Sequence, residues 1–239
     1  MLSRAEQRIG AACAVAGSVV LFIGTYLHPM QADPNRPLEA FAEYAADRFW
    51  IASHLIQLAG VAFIVTALVL IARQLELRNR TSWGRVAAGG AVSSLAIAAA
   101  LQAVDGIALK HMVDAWARAP ASEKDMLFHA TFAVRQVEAG LASMLSLLLG
   151  FTATLYGAAF LVDGTYPWWV SGLAVIGGIT TALAGLAIAY TGFSALSMAV
   201  SMPGSSVLLL WMLALGVCMW RGGTAPPDGD LDKQSSHTT

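Results

Sequence analysis

Six apolar stretches, each near the length of a membrane-crossing helix, leave this chain few ways to fold. They cover residues 9–27, 51–71, 86–109, 139–161, 168–191 and 205–220. A hydrocarbon core about 30 Å thick is crossed by about 20 helical residues rising about 1.5 Å each. In lipid the backbone must satisfy its own hydrogen bonds, so only helices and closed barrels cross it. Continuous apolar runs exclude the alternating barrel pattern. Composition agrees, because 57% of residues are hydrophobic and only 12% are charged, and a soluble domain cannot hide that much apolar surface. The expected fold is an all-α, polytopic membrane helix bundle of six transmembrane helices, with short outer amphipathic helical segments. One transmembrane domain is expected over 1–221. The Gly-, Pro-, Asp- and Ser-rich stretch 222–239 reads as a disordered cytoplasmic tail.

The first run continues to Leu27 and ends at His28-Pro29, longer than a signal-peptide core, so it reads as a retained helix. Arg4 and Arg8 precede it, Arg73, Arg78, Arg80 and Arg85 crowd the connection between helices two and three, and Arg221 follows helix six. The positive-inside rule puts these segments, and both termini, in the cytoplasm, which predicts an inner (plasma) membrane protein. Arg36, Arg48, Lys110, Arg118 and Lys124 then fall outside. Trp83, Tyr166, Trp168, Trp169 and Trp220 mark the inner boundary, and Tyr26, Trp50 and Trp116 the outer one. A net charge of −1 leaves no basic surplus for nucleic acid. Cys13 and Cys218 lie in apolar runs and read as reduced packing residues. Small residues at Gly10/Ala14, Cys13/Gly17, Gly178/Ala182 and Gly185/Ala189 predict close helix packing.

Two outer segments carry helical signals. Residues 37–49 begin with Pro37 and space Leu38, Phe41, Ala42, Ala45 and Phe49 helically, so a helix is expected to run on into span two. Ser122-Glu-Lys-Asp125 resembles a capping box opening a helix that continues through span four. At about 40 residues that helix would be about 60 Å long and must project or bend.

Counting about 20 residues outward from each inner flank brings His28, His54, Asp105, Tyr190 and Ser201 to one level. Asp47, His54 and Gln57 share one side of their helix with Trp50, and Gln102 lies one turn before Asp105. Arg135 and Glu138, spaced i, i+3, can pair just above the layer, while His129, Gln136 and Ser143 share another face. An ionisable group inside a span is a functional candidate that needs a partner. For Asp105 the candidates are His54 first and His28 second. The expected pocket draws on His54, Gln57, Asp105, Arg135, Gln136 and Glu138, and the candidate metal ligands are His28, His54, Asp105, His111 and His129. Two neutral imidazoles and a carboxylate suit a divalent metal such as zinc or copper. Met30, Met112, Met126, Met198 and Met202 on the same side add thioethers, which favour copper(I). Haem is the further option if His28 and His54 straddle the macrocycle.

Plain structural readings stand beside these. Arg135 and Glu138 read as an ordinary ion pair, His28 before Pro29 as a helix end, and His111 and His129 as solvated residues. No G-x-S-x-G, H-E-x-x-H, Walker or C-x-x-C motif occurs, and the last helix lacks the lysine a retinal Schiff base needs. A reaction is therefore not indicated.

The stretch Phe41-Ala-Glu-Tyr-Ala, then Trp50, His54, Gln57 and Gly60, after a span ending His28-Pro29, resembles bacterial six-helix inner-membrane proteins of families without an assigned activity. That resemblance covers the first two helices and implies a bacterial inner membrane, but no activity. The expected function is a membrane protein whose outer (periplasmic) polar pocket binds a metal, haem or a small, lipid-like ligand. The alternatives are a structural or accessory subunit, with a membrane-protein partner or as a homo-oligomer, and a small-solute transporter. No internal repeat or charged midplane supports the transporter.

Overall fold

A computed structural model describes residues 2–29, 31–77 and 81–222. It is helical throughout the spans: α1 (Arg4–Leu27), α2 (Pro37–Ala46), α3 (Trp50–Leu77), α4 (Thr81–Gln102), a π-helical segment (Ala103–Leu109), α5 (Lys110–Arg118), α6 (Lys124–Asp163), α7 (Trp168–Thr191) and α8 (Ala195–Gly222). Six of the resulting rods are long and apolar enough to cross a membrane, α4, the π segment and α5 forming one of them. Arg78, Arg80, Met30 and residues 223–239, including the expected tail, lie outside the described residues.

Local chemistry sets several boundaries. Ser3 and Glu6 form a capping box that opens α1. Pro37 takes the first turn of α2, where its missing N–H is not needed. The expectation that this helix continues into span two is corrected. The Asp47 carboxylate accepts the Phe49 backbone N–H at 2.7 Å, turning the chain before α3 begins. The capping box expected at Ser122 is also absent, because α6 starts at Lys124 with no side-chain cap on Glu123. Lys124 instead ties the connection by donating to Ala117 O at 2.9 Å. The sixth span is longer than expected, running unbroken from Ala195 through Pro203. Pro203 lacks the N–H that would meet the Ala199 carbonyl, so the helix runs on with one backbone bond fewer near its start.

The six rods pack as a closed ring in chain order: α1 on α3, α3 on α4, α4 on α6, α6 on α7, α7 on α8, and α8 back on α1. Small residues set the spacing. A Cβ at Gly178 would lie 2.6 Å from Gly150 O, so α6 and α7 meet backbone to backbone. The Ser143 hydroxyl donates across the same seam to Gly185 O at 2.9 Å. One half of the ring is filled by Ile71, Leu75, Tyr156, Phe160, Trp211 and Leu215, with the Tyr156 hydroxyl donating to Leu68 O at 2.8 Å. The start of α1 meets the ends of α8 and α3 here, where Arg8 lies over the Trp220 ring and Arg73 pairs with Glu6.

The other end is built differently. With 40 residues, α6 is about 60 Å long, and the rod ending in α5 is of similar length. Both outrun a hydrocarbon core of about 30 Å, so α5 and the start of α6 stand as a hairpin beyond the spans, with α2 laid against α5. Phe41, Tyr44, Trp50, Leu109, Val113 and Trp116 form its core. Lys110 stitches it together. Its ammonium donates to the Tyr44 and Ala45 carbonyls at 3.0 and 2.9 Å and to Asp114 at 2.8 Å, a cation at the C-terminal end of α2.

Candidate metal centre

Beneath the hairpin, three elements converge. His28 caps the C-terminal end of α1, its own N–H bonding Thr25 O. His54 stands one turn into α3, and Asp105 sits in the π segment. Each offers one ligand atom, and the three atoms lie within 4.8 Å of one another. His54 Nε2 is 3.0 Å from Asp105 Oδ2, with His54 nearly fully buried and Asp105 mostly so.

The ring orientations are fixed by backbone. His54 Nδ1 lies 2.6 Å from Trp50 O, and His28 Nδ1 lies 2.8 Å from Pro29 O. A carbonyl can only accept, so each Nδ1 carries a proton, and in the neutral ring Nε2 is the nitrogen that keeps the lone pair. This is the arrangement in which imidazoles ligate metals, one nitrogen anchored and the other free. Neither His54 Nε2 nor the buried Asp105 Oδ1 has an aligned hydrogen-bond partner. A lone pair and a carboxylate oxygen 3.0 Å apart repel unless a cation, proton or metal, stands between them.

Trp50 holds the group together. Its ring centroid lies 4.7 Å from that of His28, 4.7 Å from that of His54 and 4.2 Å from that of Tyr44, and its indole N–H donates to Asp105 O at 3.0 Å. Burial pushes the Tyr44 phenol up to about 12, so it stays protonated. The close approach of the π segment to α3 depends on Gly106, where a Cβ would fall 2.6 Å from His54 Cβ. Single π turns recur at functional sites because they re-aim side chains.

A cavity of about 240 Å³ adjoins the group, bordered by His28, Asp105, Arg135, Glu138, Phe193 and Met198 among others. Arg135 and Glu138 are paired as expected, with one guanidinium nitrogen donating to both carboxylate oxygens at 2.8 and 2.9 Å. Both are buried rather than solvated.

The remaining sequence candidates lie elsewhere. Gln57 accepts from Gln102 at 3.1 Å, one turn from Asp105. Gln136 is exposed on the outside of α6 and borders a second, larger cavity. His111 and His129 are exposed on the hairpin, His129 lying 3.6 Å from Asp125, and neither joins the three-residue group. The hairpin buries its apolar faces inward and turns those imidazoles out. Haem between His28 and His54 does not fit, since their ring centroids are only 4.9 Å apart, in direct contact. Tyr44, Gly106 and Phe193 escaped sequence reasoning. Only Gly106, a small residue following an intramembrane acid, carried a visible signal.

Comparison of the chain with known protein families, with curated proteins and with solved structures finds no match.

Proposed function

We propose that this membrane protein binds a transition-metal ion, zinc or copper, through His28, His54 and Asp105 near one membrane face. The observation that carries the reading is the pair of Nδ1 atoms anchored on backbone carbonyls, which leaves each Nε2 as the ring nitrogen available to a metal, that of His54 lying 3.0 Å from the Asp105 carboxylate. The donor set fits. Tetrahedral bonds of about 2.0–2.2 Å put neighbouring ligand atoms about 3.3 Å apart. The His54–Asp105 separation of 3.0 Å is close to that edge, and the widest separation, within 4.8 Å, closes with small side-chain movement. Three protein ligands leave a position open toward the cavity, as in zinc sites that bind exchangeable ligands. Met198 on the cavity wall would favour copper(I) if its thioether joins. The clustering of Arg4, Arg8, Arg73, Arg85 and Arg221 at the opposite end supports cytoplasmic termini and an outward-facing site.

A second reading is favoured by the same 3.0 Å contact. There, His54 is an imidazolium paired with Asp105 that anchors helices in a structural or accessory subunit. Metal analysis separates the two. Protein purified in mild detergent, stripped and reloaded, should hold about one zinc or copper per chain, and Asp105→Asn should hold none. Equal, negligible metal in wild type and variant would leave the ion-pair reading standing alone.

A further inference from the structure

A larger cavity of about 650 Å³ lies along the outside of the bundle between α6 and α7, bordered by Phe132, Gly140, Met144, Ile188 and Tyr190 among others. Its volume falls within the range of small-molecule sites. Phe132, Met144 and Tyr190 are 39%, 47% and 88% exposed, so the groove opens sideways, out of the bundle. A Cβ at Gly140 would meet nothing within 4 Å, so the floor beside it is open.

The inner end of this groove is charged. Arg135 is its single charged lining residue among those described. Glu138, which neutralises Arg135 from the metal side, borders only the smaller cavity. Arg135, Phe193 and Pro34 border both cavities and form the partition between them. The guanidinium is held there by rings on either side, 4.6 Å from the centroid of Phe193 and 5.5 Å from that of Tyr44. A trough bordered by Phe132, Met144 and Ile188 together with Asn35, Gln136 and Thr191, ending on a buried guanidinium beside a site that would hold a cation, complements an amphiphile with an anionic head.

We infer that the groove binds a single-chain amphiphile with a carboxylate head, its tail between α6 and α7 and its head on Arg135. The head's reach to a metal rests on the reading above, whereas the seat of the tail does not. Arg135 would donate to the carboxylate from the partition, and the open metal position would face the same head from the other side.

The test uses the full chain in phosphatidylcholine nanodiscs and a nitroxide-labelled stearate, followed by electron paramagnetic resonance. A saturable immobilised fraction of about one label per chain is expected, displaced by oleate. Oleyl alcohol should compete about tenfold less well, since a hydrogen bond to a charged group is lost. Gly140→Phe fills the trough without touching the metal ligands. It should weaken stearate about tenfold by steric exclusion and leave zinc affinity unchanged, while Gly140→Ala behaves as wild type. Non-saturable labelling, equal binding by Gly140→Phe, or equal competition by the alcohol overturns the proposal. Displacement by acetate as effective as by oleate would mark a site for small free anions and overturn it too. Zinc titration of the same discs keeps the readings apart. Stearate held without zinc supports the groove and removes only the metal reading, and zinc bound without saturable stearate removes only the groove.

Discussion

Replacing Gly106 by alanine adds one methyl group and removes no ligand. The new Cβ would lie 2.6 Å from His54 Cβ and 2.9 Å from its Cγ. Carbon atoms settle at about 3.5–4.0 Å, so the π segment and α3 must separate by about 1 Å. Both contacts are to the root of a side chain whose ring is anchored on Trp50 O, so no flexible tip can yield. Metal–ligand distances tolerate about 0.2 Å; a 1 Å displacement therefore detaches Asp105 from His54 and strains the indole bond from Trp50. The expected loss in zinc affinity is about 10–100-fold, the scale seen when a supporting contact of a metal ligand is removed. Stability should fall by about 1–3 kcal/mol from overpacking, offset in part by the better helix propensity of alanine. Gly172→Ala is the control, since a Cβ there meets nothing within 4 Å; it should keep wild-type zinc affinity. Competition with a chromophoric chelator reads the affinity, and circular dichroism reads the fold. A folded Gly106→Ala protein whose zinc affinity lies within about threefold of wild type (about 0.6 kcal/mol) would refute the reasoning.

Further outcomes follow from single contacts. Glu138→Ala leaves the Arg135 guanidinium buried without its acid and should cost about 3–5 kcal/mol in detergent unfolding, whereas wild-type-like stability would show that water reaches the pair. Tyr156→Phe removes the hydroxyl bond to Leu68 O and should cost about 1 kcal/mol with no change in zinc affinity. Zinc binding near neutral pH should release about one proton, because the cation between His54 Nε2 and Asp105 Oδ2 is exchanged. Calorimetry in two buffers of different ionisation heat measures it. Affinity should therefore rise with pH, and a pH-independent affinity would contradict the exchange.

The spans and the level shared by His28, His54 and Asp105 were legible because bilayer thickness converts residue counts into depth. The partner of Asp105 was legible for the same reason, and the i, i+3 spacing of Arg135 and Glu138 announced their pair. What was not legible depended on rotation and on neighbours. Gln57 shares its side of α3 with His54 yet meets Gln102, because Gln102 closes α4 about one turn before Asp105 in the π segment. The π turn at Ala103–Leu109 has no composition of its own and shows only in the hydrogen-bond ladder. His111 and His129 looked equivalent to His28 by residue type, but the hairpin's inward faces were claimed by Val113, Trp116 and Phe128. The apolar run of the sixth span shows only from 205, while α8 begins at Ala195 and passes straight through Pro203.

The order of helices around the ring bears on how the molecule is assembled. All three proposed ligands come from the chain up to Asp105, so synthesis of the first three spans delivers the full donor set. The seam between α8 and α1 joins only when the last span arrives. An ion captured by the early half would lock α1, α3 and the π turn together before the ring is complete, giving the later helices a fixed edge to build upon.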